Sequence, residues 1–221
     1  MRVLEDLNLN GLKIYQDDEL YRFTSDAVLL SRFATVKAGD KVADFCSGSG
    51  IVGIHLYGLN EKAVKSVTLF EMQKDLYELS LESIKFNGLQ DKFFAVNTRL
   101  QDIGSDRAGE FSLIVCNPPY MEKGSGAKDE KECIAVCKRE ETLSLKELVF
   151  TASKCLKFGG RFALCHRADR LADVIFELRT AGIEPKRLQF IYSGNKKPYL
   201  FCIEGVRGGK PGLDVLTPLE N

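Results

Sequence analysis

Val42-Ala43-Asp44-Phe45-Cys46-Ser47-Gly48-Ser49-Gly50 is the stretch that decides the fold of this chain. A short apolar run ends at an acid and opens into small residues and two glycines. The run, Lys41 to Cys46, reads as a buried strand, and the glycines read as a tight turn that lets the backbone approach a ligand. Ile51 to Tyr57 follows as a helix. Strand, glycine turn and helix in this order belong to open parallel sheets, which bind ligands beyond the carboxyl ends of their strands. Gly48-Ser49-Gly50-Ile51-Val52-Gly53 also has the spacing of a dinucleotide fingerprint, a spacing that many loops share.

The same alternation runs outward from that unit. Ser66 to Glu71 reads as a strand, Gln73 to Asn87 as a helix stopped by Asn87-Gly88, and Phe93 to Asn97 and Phe111 to Cys116 as strands. Leu143 to Leu156 reads as a helix ended by Gly159-Gly160, Arg161 to Cys165 as a strand, and Asp169 to Thr180 as a helix. Arg187 to Tyr192 and Tyr199 to Val206 have no helix between them and read as an antiparallel hairpin at one edge. The expected architecture is α/β: a mostly parallel seven-stranded sheet with helices on both faces, in one domain over residues 1–221. Met121 to Glu141 is charged, carries Gly124 and Gly126, and reads as a mobile loop.

Asn117-Pro118-Pro119-Tyr120 follows the apolar strand Phe111 to Cys116. The two prolines restrict the backbone and hold the Asn117 side-chain oxygen and the Pro118 carbonyl as a preorganised pair of acceptors. Two acceptors suit an amine whose lone pair is delocalised, because they hold its two hydrogens and favour a pyramidal nitrogen. Tyr120 offers a ring on which a base can stack.

Composition narrows the class. Hydrophobic residues make up 44% of the 221, enough for a proper core. Lysine plus arginine and aspartate plus glutamate each number 31, so net charge does not argue for nucleic acid. Between Arg161 and Lys210, ten basic residues face five acidic ones. That surplus suits phosphate contact or an ordinary solvated surface. The seven cysteines, Cys46, Cys116, Cys133, Cys137, Cys155, Cys165 and Cys202, form no CxxC pair and read as free thiols in a reducing compartment. No metal is implied. Met1-Arg2-Val3-Leu4-Glu5-Asp6 is charged too early for a signal peptide, and no run is long and apolar enough for a membrane span. A cytoplasmic location is expected.

A glycine loop after one strand and NPPY after a later one resemble the class I amino-methyltransferases that use S-adenosylmethionine. More narrowly, the chain resembles the bacterial tRNA (adenine-N6)-methyltransferases that modify the adenosine 3′ of the valine tRNA anticodon. Tyr21-Arg22-Phe23-Thr24-Ser25-Asp26-Ala27-Val28-Leu29-Leu30, Lys123-Gly124-Ser125-Gly126, Gly159-Gly160-Arg161-Phe162-Ala163-Leu164-Cys165-His166-Arg167, and the tail Gly208-Gly209-Lys210-Pro211-Gly212-Leu213 carry this resemblance.

The resemblance implies a Rossmann-like fold, S-adenosylmethionine as cofactor and tRNA as partner. It places Asn117, Pro118, Pro119 and Tyr120 at the reaction. Asp44, Cys46, Ser47, Gly48, Gly50, Glu71, Met72, Asp102 and Asn117 are expected at the cofactor, with Glu71 taking the ribose hydroxyls. Lys123, His166, Arg167 and Arg170 are expected as RNA contacts. Residues 1–40 become a cover segment, in which Asp26 either faces the cofactor or caps a helix. Two departures stand out. Cys46 replaces the usual first glycine, which is tolerable provided that position does not need positive φ. Arg99 stands where an acid usually meets the adenine amine, leaving Asp102 for that task, for helix capping or as plain surface. The alternatives are another amine, in protein glutamine, rRNA or DNA adenine, or an RNA-binding protein without catalysis.

Overall fold

A computed structural model describes residues 1–20, 22–118, 143–194 and 197–221. The elements in chain order are β1 (Arg2–Asp6), β2 (Lys13–Asp17), α1 (Ser25–Phe33), β3 (Asp40–Phe45), α2 (Ile51–Leu59), β4 (Val64–Glu71), α3 (Lys74–Phe86), β5 (Phe93–Asn97) and β6 (Phe111–Cys116). After the segment 119–142 come α4 (Leu145–Cys155), β7 (Leu156–Arg167), α5 (Leu171–Thr180), β8 (Ile183–Tyr192), β9 (Leu200–Arg207), β10 (Asp214–Val215) and β11 (Leu219–Glu220).

β1 and β2 pair as a separate two-stranded sheet; the other strands form one sheet in the order β10-β8-β9-β7-β6-β3-β4-β5, with β11 also on β8. β3, β4, β5, β6 and β7 are mutually parallel, and β9 runs antiparallel to both β7 and β8. Side chains alternate between faces along each strand. Val42, Leu113, Val115, Ala163 and Cys165 enter one core with α1 and α2. Ala43, Phe45, Ile114, Cys116, Phe162 and Leu164 enter the other with α4 and α5. Burial on both faces explains why the strands read as continuous apolar runs.

Three expectations need correction. The hairpin is not simply an edge: β9 lies inside, between β7 and β8, and the outer side of β8 is covered by β10 and β11, making nine strands. Gly159-Gly160 does not separate helix from strand. α4 ends at Cys155 and β7 begins at Leu156, with both glycines inside the strand at an irregularity of its register on β6. Residues 2–17 form a hairpin that was not expected. It docks on α3 because Asn87 accepts from the Lys13 N–H at 2.9 Å and donates to its carbonyl at 2.7 Å. The Tyr15 N–H donates to Ser83 Oγ at 3.0 Å.

At the amino end of β3, remote from the glycine turn, Arg161 Nη2 donates to both oxygens of Asp40 at 2.6 Å. Asp40 also accepts from Ser112 and from the Lys37 N–H. This buried pair consumes one of the C-terminal arginines. Arg187 pairs with Glu204 and lies over the Phe33 ring, and Arg179 pairs with Glu184. Three of the ten basic residues are thus held by intramolecular carboxylates, and Arg161 draws its partner from outside the segment.

Candidate active site

The carboxyl ends of β3, β4 and β6 lie side by side. Phe45 pairs with Cys116 and with Phe70, so the turn beginning at Cys46 sits between Asn117 on one neighbour and Glu71 on the other. Gly48 and Gly50 have φ of 56° and 92°, conformations that glycine adopts without penalty. Gly50 is the N-cap of α2. A Cβ at Gly53 would stand 2.7 Å from Leu69 and 3.2 Å from Asp44 Oδ2, so the helix can lie this close to the sheet only with glycine there.

Cys46 has φ of 56°. The condition under which a cysteine was expected to be harmless fails. This position is left-handed, and a side chain there costs on the order of 1–2 kcal/mol. Cys46 is partly exposed, and the following Ser47 is buried.

Two acids stand under the turn. Asp44 is fully buried, and its Oδ2 accepts the Gly53 N–H at 2.8 Å. Its Oδ1 has no protein partner, nor has Ser47 Oγ. Burial, aided by the nearby Glu71 charge, pushes Asp44 up to about 8. Glu71 is buried and also raised, but its carboxylate accepts N–H bonds from Gln73 and Gly48 at 2.8 Å each. Two backbone donors favour the anion at Glu71. Asp44, with one, is the better holder of a proton at neutral pH. Glu71 is further placed by Asn97, whose amide donates to the carbonyls of Glu71 and Met72 at 2.8 and 3.1 Å. Met72 is exposed beside it.

Asn117 is half-buried directly beyond β6 and Pro118 is buried. Pro119, Tyr120, Lys123 and the expected mobile loop lie outside the described residues. Asp102 is exposed in a 3₁₀ turn (Leu100–Asp102) after β5; it caps neither that turn nor the next, whose N-caps are Arg99 and Gly104. Asp26 is no helix cap either. Thr24 occupies the N-cap, and Asp26 lies in the first turn of α1, raised by burial. With Arg167, Asp169, Pro198 and Tyr199 it lines a cleft of about 500 Å³ at the end of β7.

His166 is not placed to touch RNA. It is buried, stacked on Phe201 with ring centroids 6.4 Å apart, and its Nδ1 accepts the Arg167 N–H at 2.9 Å. Burial, with Arg170 next, pushes its imidazole down to about 4. The unfolded chain then binds a proton below about 6.5 that the folded one refuses, so stability is full above that pH and falls as pH drops toward 4. His166→Gln is expected to remove about 2 kcal/mol of the loss between pH 7 and pH 5, read from denaturant titrations at the two pH values. Arg167 and Arg170 are on the surface side, ion-paired with Asp169 and Asp173. Exposed pairs of this kind are worth about 0–1 kcal/mol.

Sequence reasoning missed Gln16. It is buried, donates to Ser49 Oγ at 2.7 Å and to the Tyr15 carbonyl at 3.1 Å, and accepts the Phe23 N–H at 3.2 Å. One side chain thus ties the β1–β2 hairpin and the segment before α1 to the glycine turn. No local pattern in the sequence announces it. Among the described residues no three His, Cys, Asp or Glu gather as metal ligands, and no helix is long and apolar enough to cross a membrane.

Comparison with known proteins agrees with this geometry. The profile described as "Methyltransferase small domain" matches residues 23–176. A tRNA1(Val) (adenine(37)-N6)-methyltransferase of Flavobacteriaceae bacterium (strain 3519-10) is 25% identical over 197 residues, 83% of this chain and 81% of that protein. The protein of the same name from Haemophilus influenzae (strain PittGG) is 27% identical over 62% of this chain and 59% of its own length. Among solved structures, a predicted O-methyltransferase from Agrobacterium tumefaciens superposes with a TM-score of 0.69 at 18% identity, covering 88% of this chain and 86% of that one. Methanocaldococcus jannaschii Trm5 in complex with adenosine gives 0.67 at 15% identity, over 95% of this chain and 58% of that one.

Proposed function

The chain belongs to the methyltransferase small-domain family, and on that premise we propose that it transfers a methyl group from S-adenosylmethionine to the exocyclic amine of an adenine in tRNA, the adenosine 3′ of the anticodon. The observation that carries this reading is the pairing of Phe45 with Cys116, which sets Asn117 beside the glycine turn. The relatives named for tRNA adenine-N6 methylation supply the substrate class. A tRNA substrate puts the protein in the cytoplasm.

The residues fit the cofactor. The turn lacks side chains at Gly48 and Gly50, Glu71 keeps lone pairs for ribose hydroxyls, and Asp44 Oδ1 and Ser47 Oγ are polar atoms awaiting partners. When bound, S-adenosylmethionine supplies a methyl group already activated on a sulfonium. The chain's task is alignment. Asn117 Oδ1 and the Pro118 carbonyl accept the two amine hydrogens and turn the nitrogen lone pair toward the methyl. Tyr120 stacks the base, and Arg167, Arg170 and Lys123 take phosphates. Residues 1–40 cover the cofactor. No strong base is needed before attack, because the methylated nitrogen loses its proton readily.

Gln16 braces the turn from that cover. Gln16→Ala is expected to weaken S-adenosylhomocysteine binding about tenfold, the loss of one or two buried hydrogen bonds, with turnover at saturating cofactor nearly retained. Calorimetry against initial rates checks this. The reading as a whole is tested by offering labelled S-adenosylmethionine with tRNA, rRNA, duplex DNA and protein. Label should enter tRNA; label entering another substrate instead overturns the substrate, and cofactor binding without any transfer overturns the catalytic reading.

A further inference from the structure

We propose that Cys46 and Cys116 are an oxidisable pair, a modification site at which a peroxide-class oxidant closes a disulfide between the glycine turn and the strand bearing Asn117. This rests on the reading of the turn as the cofactor site. Cys116 ends β6 opposite Phe45 of β3, so Cys46 is one residue past its register partner. A strand spacing of about 4.8 Å and a one-residue step of about 3.3 Å combine to a Cα separation of roughly 5.8 Å, inside the disulfide range of about 4.4–6.8 Å. The left-handed backbone at Cys46 turns its side chain onto the core that holds Cys116.

Access is unequal. Cys116 is fully buried, while Cys46 is partly exposed and meets the oxidant first. Cys165 and Cys202 offer an internal contrast. They also pair directly across β7 and β9, but both are buried. A cysteine in a left-handed position that glycine would fill without strain is the kind of outlier that marks a functional site.

The chemistry balances. The Cys46 sulfur attacks one peroxide oxygen; the S–O bond forms, the O–O bond breaks, and the departing hydroxide takes the Cys46 proton as water. The Cys116 sulfur then attacks the Cys46 sulfur; the S–S bond forms, the S–O bond breaks, and hydroxide leaves with the Cys116 proton as a second water. The thiols lose two electrons and the peroxide gains them. A dithiol reverses the change. Closure joins the two sulfurs at about 2.05 Å and pulls the turn toward β6. A turn displaced in this way loses one or two of its hydrogen bonds to the cofactor, about tenfold in affinity.

The test treats the full chain with hydrogen peroxide, blocks remaining thiols, maps unreduced peptides by mass spectrometry, and measures S-adenosylhomocysteine affinity before treatment, after it, and after dithiothreitol. A Cys46–Cys116 peptide with affinity lowered about tenfold and restored by the dithiol is expected. Cys116→Ala should lose the peptide and keep its affinity under oxidant, whereas Cys165→Ala should behave as wild type. Oxidation confined to other cysteines, Cys46 advancing to higher acids without a link, or a link that leaves affinity unchanged would each overturn the proposal. Should the untreated protein bind no S-adenosylhomocysteine, the cofactor reading falls, and the peptide map alone decides whether the pair is oxidisable.

Discussion

Asn117→Ala is expected to lower methyl transfer by roughly 10²–10³-fold or more, the loss typical of removing one preorganised polar group from a reaction centre. S-adenosylhomocysteine should bind with nearly unchanged affinity. The split follows from geometry. Asn117 stands at the end of β6, half-buried, followed by a buried proline. Its amide holds an amine hydrogen only while the target base is present, and the bond strengthens as the nitrogen becomes pyramidal and its hydrogens more acidic. An interaction stronger in the transition state than in the ground state appears in turnover. The turn at Cys46 to Gly50 and Glu71, which face the cofactor in this account, are untouched by the change. Single-turnover transfer set against calorimetry checks both halves. A variant that transfers at the wild-type rate would remove Asn117 from the mechanism.

The second large effect runs the other way. Glu71→Ala is expected to weaken cofactor binding by roughly 10²–10⁴-fold, since two hydrogen bonds to a carboxylate are worth about 1.5–3 kcal/mol each. Glu71 also organises the site in the absence of ligand. It accepts the N–H of Gly48 across the turn and the N–H of Gln73 at the start of α3. Glu71→Gln keeps one acceptor and the size of the side chain, so it should fall between wild type and Glu71→Ala. Equilibrium binding of S-adenosylhomocysteine measures the series. Equal affinity for all three would place the ribose elsewhere.

The inner strands were legible in the sequence because they are buried on both faces: Phe111 to Cys116 read to its actual bounds. Phe93 to Asn97 did so too, although it is a partly exposed edge strand. The glycine turn was legible for a different reason, since only small residues permit its backbone path. What escaped reading depends on partners remote in sequence. β1 and β2 are five-residue strands of mixed charge, held by Asn87 and Ser83 some seventy residues away, so nothing local marks them. β10 and β11 are two residues each and exist because β8 presents an unpaired edge. His166 looked like a strand-end contact, but β7 runs on to Arg167 and β9 pairs along it, which buries the imidazole. The left-handed turn at Cys46 was hidden because cysteine reads as a small core residue, and only the backbone shows that it occupies a glycine's conformation.

We propose the exocyclic amine of an adenine in tRNA as the methyl acceptor. Nucleoside analysis, with positional mapping, of tRNA from a strain lacking the gene, after incubation with the protein and S-adenosylmethionine, decides this. N6-methyladenosine appearing on the 3′ side of the anticodon is the predicted result. A methyl group found on a ring nitrogen or a ribose, or tRNA left unmodified by protein that binds the cofactor, would contradict it.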